Sequence, residues 1–236
     1  MKKTKFALGV LAVLLCGSAG ARNGEVKMRE GTITLPAYRV NAPEKAPLFE
    51  RDFAYQRAKR GVYPYAMNDN PTDEKIDTTY RALFLENDYL EVCVLPDIGG
   101  RLFYATDKTN GYEIFYRQHV IKPANVGMLG AWISGGVEWN VFHHHRATSN
   151  IPCDYRIVEN GDGSKTIWVG EVEKRHRMSW AIGMTLYPDR SYIEVKGRFF
   201  NNSPDRNSML HWNNVATHAN ENYQIVFPEN TEFGTF

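Results

Sequence analysis

From residue 79 onward, apolar and polar side chains alternate in short runs that are separated by turn-forming residues. In residues 180–187, for example, Trp180, Ile182 and Met184 alternate with smaller or more polar residues, as in a strand with one buried face. The predicted strands are residues 89–95, 101–105, 112–116, 155–158, 165–170, 180–187 and 191–200. Turn residues between the later pairs predict three hairpins, and no long amphipathic helix competes with them. The pattern therefore predicts an all-β antiparallel sandwich.

The N-terminal 21 residues have the composition of a secretory signal peptide. Three lysines precede an apolar run, and the segment ends in the small residues Ala19, Gly20 and Ala21. We therefore expect a secreted protein that is periplasmic or located at the cell surface. No other apolar stretch is long enough to predict a membrane span.

Residues 22–78 differ in composition from the β-rich region that follows. They are richer in proline and charge, which predicts an extension packed on the main body, with two strands and a short helix near residues 49–60. Residues 79–236 form the predicted sandwich domain. The expected organisation is thus one signal peptide, one extension and one domain.

The charge of the chain gives no indication of a nucleic-acid partner. Removing the signal peptide takes three lysines, so the 28 basic residues fall to 25 against 27 acidic ones and the formal charge becomes about −2. Two cysteines, Cys93 and Cys153, remain after this removal. They either pair in an oxidising compartment or stay as buried thiols, and spacing alone leaves both options open.

The richest concentration of chemical groups lies in residues 127–149, GMLGAWISGGVEWNVFHHHRATS. The pair Gly135-Gly136 permits backbone angles that other residues rarely adopt, and it allows a ligand or another strand to approach closely. Residues 137–142 resemble a strand, so Glu138 and Asn140 would share one face and Trp139 would point to the other. A carboxylate beside an amide is suited to binding adjacent hydroxyl groups.

Aromatic and basic residues surround this strand. Trp132 or Trp139 offers a flat apolar surface to a sugar ring. His143, His144 and His145 provide groups that titrate near neutral pH, and Arg146 adds a fixed cation. The alternative interpretation is a core tryptophan followed by a solvated turn of histidines. Three adjacent histidines lack the usual spacing of a closed metal site, so we predict no metal and no cofactor.

Two further positions carry candidate contacts. In MLHWNNVATH (residues 209–218), His211 and Asn213 share one face of a predicted strand, where a histidine can serve as an acid beside an orienting amide. Arg101 follows a glycine pair. It either contacts a ligand or holds loop carbonyls in place.

Several of these segments together resemble the DUF5107 family, which is related to galactose mutarotase-like domains. The resemblance is carried by LPDIGGR, by VIKPANVGMLGAWISGGVEWNVFHHHR and by YPDRSYIEV. It implies a large antiparallel β-supersandwich whose concave face holds carbohydrate. In aldose epimerases a histidine acid lies in a strand similar to HWNN, and the glutamate base comes near the C-terminal end of the domain. Since the chain ends at Phe236 without the closing strands, we expect the domain to be truncated there.

Two functional hypotheses follow. The first is a secreted glycan-acting enzyme, either glycosidase-like or epimerase-like, with Glu138, His145 and His211 as the acid and base groups. The second is a carbohydrate-binding module that holds sugar without turnover. The fold hosts both kinds of function, so the choice between them depends on the site.

Overall fold

The computed structural model describes residues 24–46, 49–50, 61–62, 64–127, 130–141, 145–175 and 177–233. The predicted signal peptide, most of the predicted short helix, His143 and His144 lie outside these residues. Phe49 and Glu50, where that helix was expected to begin, instead form a strand that pairs with Gly61–Val62.

The described part of the chain is built from strands joined by turns, with one short 3₁₀ helix at Pro96–Ile98. The strands are β1 (Lys27–Val40), β2 (Phe49–Glu50), β3 (Gly61–Val62), β4 (Pro71–Glu86), β5 (Leu90–Leu95), β6 (Arg101–Asp107), β7 (Tyr112–Glu113), β8 (Ala124–Gly127), β9 (Gly130–Trp132), β10 (Val137–Val141), β11 (Asp154–Glu159), β12 (Lys165–Glu173), β13 (Met178–Leu186), β14 (Glu194–Asn201) and β15 (His211–Val215).

Two antiparallel sheets contain most of these strands. The seven-stranded sheet has the order β1-β4-β5-β6-β10-β15, with β7 paired to β6, and the four-stranded sheet has the order β11-β12-β13-β14. Apolar side chains from both sheets form one core cluster, to which Leu83 and Val92 contribute from the first sheet and Ile167 and Ile182 from the second. The prediction of an all-β antiparallel sandwich is confirmed.

The predicted hairpins are confirmed with small changes at their ends. β11 pairs with β12 and β13 pairs with β14 on either side of the expected turns. The strand expected at residues 112–116 ends at Glu113, because the chain bends there and packs Ile114 and Phe115 against the core between the sheets.

The N-terminal region joins the main sheet along its edge. β1 pairs with β4 from Lys27 opposite Glu86 to Val40 opposite Pro71. The boundary expected between residues 78 and 79 falls inside β4, which continues across it as one strand. Residues on both sides of that position therefore belong to the same sheet.

A second apolar cluster covers the face of the seven-stranded sheet that points away from the four-stranded sheet. We call this face the outer face. Cys93 is buried in this cluster, whereas Cys153 packs against the core between the sheets, and both thiols are free. Of the two options for these cysteines, the structure shows separate thiols.

Candidate functional site

The central strand of the site, β10, separates its side chains as the alternation predicts. Val137, Trp139 and Val141 enter the core between the sheets. Glu138 and Asn140 lie on the outer face, and both are buried, with 2% and 0% of their surface exposed. A carboxylate and an amide in such an environment need partners, because burying an unpaired polar group is costly.

The glycine pair before β10 allows this strand to lie close to its neighbours. Gly136 has φ +61°, and a Cβ at that position would lie 2.2 Å from the carbonyl oxygen of Leu102 on β6. Its own N–H donates to the carbonyl of Tyr116, and its carbonyl accepts from Ala216. The predicted close approach is thus confirmed for a neighbouring strand.

β15 supplies the first partner of Glu138. It pairs antiparallel with β10, so that Asn214 lies opposite Glu138 and Trp212 lies opposite Asn140. The side-chain amide of Asn214 donates a hydrogen bond of 3.0 Å to Oε2 of Glu138. Asn214 and Trp212 therefore belong to the outer face.

His145 supplies the second partner. Its Nδ1 lies 3.0 Å and 3.2 Å from the two carboxylate oxygens of Glu138. The imidazole meets two tryptophan rings edge-on, with centroid distances of 5.5 Å to Trp132 and 4.7 Å to Trp212. While the Glu138 side chain is 2% exposed, that of His145 is 19% exposed. The histidine therefore lies between the buried carboxylate and the surface.

Glu138 is ionised at neutral pH. Burial by itself raises the pKa of this carboxyl, but the hydrogen bond from His145 and the charge of Arg101 outweigh that effect and hold the pKa at about 2. The N–H groups of Trp132 and Asn140 also lower the pKa, although neither meets the geometry of a hydrogen bond. Because an ionised carboxylate only accepts, Nδ1 of His145 must be the donor. In a neutral imidazole, this bond fixes the tautomer that carries its proton on Nδ1.

The low pKa predicts a specific loss of stability in acid. Glu138 has a folded pKa of about 2 against an ordinary value of 4.5, so its ionised form stabilises the fold above pH 4.5 and this contribution is lost as the pH falls towards 2. We expect the free energy of unfolding to drop by about 2 kcal/mol between pH 5 and pH 3 from this group alone. Urea unfolding at the two pH values should show that drop in wild type and in the exposed control Glu229→Gln. An equal drop in Glu138→Gln would contradict the prediction.

Arg101 holds the loop that precedes β10. Its guanidinium donates to the carbonyls of Ile133 and Gly135, and the side chain is buried. Burial lowers the pKa of Arg101 to about 10, with the charge of Glu138 opposing that shift, so the side chain remains a cation at neutral pH. Of the two options for this residue, the structure shows the arginine bound to loop carbonyls.

The side chain of Arg146 is also bound to groups of the protein itself. Its guanidinium donates to the carbonyls of Trp139 and Gly99 at 2.7 Å and 2.6 Å and to Oγ1 of Thr148 at 2.7 Å. It also forms a 3.3 Å ion pair with Glu171, and it lies 4.3 Å above the ring of Trp180. Although Arg146 follows His145 directly in sequence, it connects the two sheets instead of facing the carboxylate.

The remaining candidates lie away from Glu138. Trp139 is 2% exposed within the core, where its indole N–H donates to the carbonyl of Gly100. His211 and Asn213 point to the opposite face of β15 from Asn214, and Nδ1 of His211 donates to the main-chain carbonyl of Asn140 at 2.8 Å. Of the two tryptophans expected as a sugar platform, Trp139 is therefore not near the carboxylate, and neither is His211.

Sequence reasoning did not select Trp212 and Asn214 as site residues. Both stand in the same HWNN segment as His211 and Asn213, but strand alternation alone does not say which face turns towards Glu138. The choice is made by the register between β10 and β15.

The described part of the chain contains neither a candidate metal-binding cluster nor a candidate membrane-spanning helix. No group of three or more His, Cys, Asp or Glu side chains is arranged to hold a metal ion among those residues. The same residues contain no helix of the length and hydropathy needed to cross a bilayer.

Comparisons with known proteins relate this chain to a solved structure and to a protein family. A similar solved structure is the crystal structure of a TPR-domain containing protein from Parabacteroides distasonis, with 25% sequence identity and a TM-score of 0.62. The match covers 74% of this chain but only 29% of that chain, so the chain corresponds to a part of that larger protein. The model of a domain of unknown function, DUF5107, matches residues 57–235, and the chain belongs to this family.

Proposed function

We propose that this chain belongs to a secreted carbohydrate-active protein, in which His145 exchanges a proton with a sugar bound on the outer face. One observation carries the proposal. A buried, ionised Glu138 holds a partly exposed His145, and two tryptophan rings flank that histidine. A histidine held by a buried carboxylate is a common acid–base device, and aromatic residues beside it provide apolar surface for a sugar ring.

The two members of the pair have different roles. His145 is the group a ligand can reach, and its Nε2 gives or takes the proton on a sugar oxygen. Glu138 is a positioning residue, because it is 2% exposed and its charge stabilises the imidazolium that forms when Nε2 accepts a proton. Asn214 keeps the carboxylate in place through its 3.0 Å hydrogen bond.

The composition of the pair favours proton transfer at the anomeric centre over glycoside cleavage. The usual glycosidases need two carboxyl groups at a set separation, and one of them must donate a proton. Glu138 has a pKa of about 2, so it does not carry a proton to donate at neutral pH. Opening and closing of a sugar ring needs an acid and a base near the ring oxygen and the anomeric hydroxyl; His145 serves as one of them, and solvent water exchanges the other proton.

The second candidate is a glycan-binding module without turnover. The burial of Glu138 favours this function, because a carboxylate that is 2% exposed does not touch a ligand directly. Trp132 and Trp212 would then bind the sugar while the Glu138–His145 pair keeps their rings in place.

The experiment that tests the proposal uses the full-length protein. Incubation with a panel of monosaccharides and oligosaccharides, followed by NMR, reports anomeric exchange, new reducing ends and sugar-dependent chemical shifts in one sample. We expect accelerated anomeric exchange for at least one sugar. Shifts without exchange would favour the binding module, and the absence of both would overturn the carbohydrate assignment.

A further inference from the structure

Four buried side-chain polar atoms in the described part of the chain have no hydrogen-bond partner, and they belong to three residues around Glu138. These atoms are Nε of Arg101, Nε1 of Trp132, and both Nδ2 and Oδ1 of Asn140. All three residues lie close enough to Glu138 to lower its pKa. A buried unsatisfied group costs about 1–3 kcal/mol, so their concentration at one position indicates that a partner is missing there.

The kinds of atom at this position define the missing partner. Arg101, Trp132 and Asn140 present N–H donors, while the amide oxygen of Asn140 presents an acceptor. A bound anion would face the buried carboxylate, and a bound cation would face the three donors. A neutral hydroxyl group suits both sets, because it accepts one hydrogen bond and donates another.

We propose that a neutral sugar places one hydroxyl group between Asn140 and Trp132, and that this buried subsite determines which sugar the protein accepts. The inference rests on the proposed function and makes it more specific. A water molecule has the same hydroxyl chemistry, so the experiment must distinguish a sugar hydroxyl from a bound water.

The proposed subsite also lies next to the residue that exchanges the proton, so that the choice of sugar and the proton transfer are connected. Trp132 contacts the ring of His145, with 5.5 Å between the ring centroids, so a hydroxyl held by Trp132 lies next to the proton-exchanging residue. A sugar that lacks this hydroxyl loses both a binding contact and its position relative to His145. Sites built to bind a hydroxyl reject the analogue without it by large factors, because their buried polar groups are left unpaired.

The test measures binding of sugars to the full-length protein by calorimetry. Methyl glycosides of glucose, galactose, mannose and xylose identify the best ligand, and the complete set of its monodeoxy analogues is then titrated. We expect one analogue to bind at least about 10²-fold more weakly than its parent in wild type. Asn140→Leu should bind the parent as weakly as that analogue and should no longer distinguish the two. Glucuronate and galacturonate should bind more weakly than the neutral parent.

Two further variants make the outcome unambiguous. Trp132→Phe keeps an aromatic ring but removes the N–H donor, and it should reduce the same discrimination if Asn140→Leu fails to fold. Asn213→Ala, which changes an exposed amide on the opposite face of β15, should retain wild-type discrimination.

Several results would overturn this inference. Equal binding of all monodeoxy analogues by wild type would do so, as would unchanged discrimination in both Asn140→Leu and Trp132→Phe. A crystal structure of the sugar complex with a water still between Asn140 and Trp132 would show that the partner is water. If sugars bind without this discrimination, only the subsite fails, whereas the absence of any sugar binding defeats the proposed function as well.

Discussion

A His145→Gln variant of the full-length protein is expected to lose about 10²- to 10⁴-fold in kcat on the sugar that the wild type turns over. Glutamine can still donate a hydrogen bond to Glu138, but it has no group that exchanges a proton near neutral pH. The surrounding packing should therefore be kept while the chemistry is lost. Anomeric exchange followed by NMR, together with the thermal unfolding midpoint, separates the two effects.

The matched control for this variant is His119→Gln. His119 is exposed, and its ring lies against Tyr116 at a centroid distance of 6.4 Å. Its turnover should equal that of wild type. If His145→Gln retained full kcat, His145 would have no role in proton transfer.

An Arg146→Met variant is expected to lower the free energy of unfolding by about 3–5 kcal/mol, which is the usual cost of removing one partner from a buried charge network. Methionine fills part of the same volume but donates no hydrogen bonds. The carbonyls of Gly99 and Trp139 would lose their donor, and Glu171 would keep a charge without its cation. Urea unfolding followed by circular dichroism measures the change.

The corresponding surface variant, Arg206→Met, removes an exposed arginine of the same chemistry. It should change the free energy of unfolding by less than about 0.5 kcal/mol. A loss of under about 1 kcal/mol in Arg146→Met would mean that the contacts of Arg146 do not stabilise the connection between the sheets.

The sequence predicts the local part of the site well. Alternation within residues 137–141 places Glu138 and Asn140 on one face, and the two preceding glycines predict a close approach of the backbone, which the structure shows with β6. These are properties of a single strand and its turn. They follow from the two-residue period of a strand and from the backbone freedom of glycine.

The sequence does not determine which distant residues meet Glu138. Asn214 reaches the carboxylate because β15 pairs with β10 in one particular register, and a shift of one residue would place Asn213 or Val215 opposite Glu138 instead. Two residues that are adjacent in the chain can also have different roles. Arg146 follows His145 directly, yet it points into the junction of the two sheets and binds carbonyl oxygens.

Whether a tryptophan or an arginine of this region can contact a ligand also depends on how deeply its side chain is buried, which the sequence does not reveal. The flat ring of Trp139 could serve as a sugar platform, but Trp139 and Glu138 point to opposite faces of β10. Trp139 therefore lies in the core, where it is 2% exposed. Trp132 and Trp212 meet His145 instead. Arg101 lies close to the carboxylate, but its Nη atoms donate to the carbonyls of the preceding loop.

The most direct test of the proposed role of the Glu138–His145 pair is the sugar-panel NMR experiment with Glu138→Gln beside the wild type, both as full-length proteins. We expect the variant to bind the sugar within a few-fold of wild type, because Glu138 is buried and does not contact the sugar. Anomeric exchange should fall sharply, because the imidazolium of His145 is no longer stabilised by the carboxylate. Exchange at the wild-type rate in the variant would contradict the assignment of the Glu138–His145 pair as the centre of the chemistry.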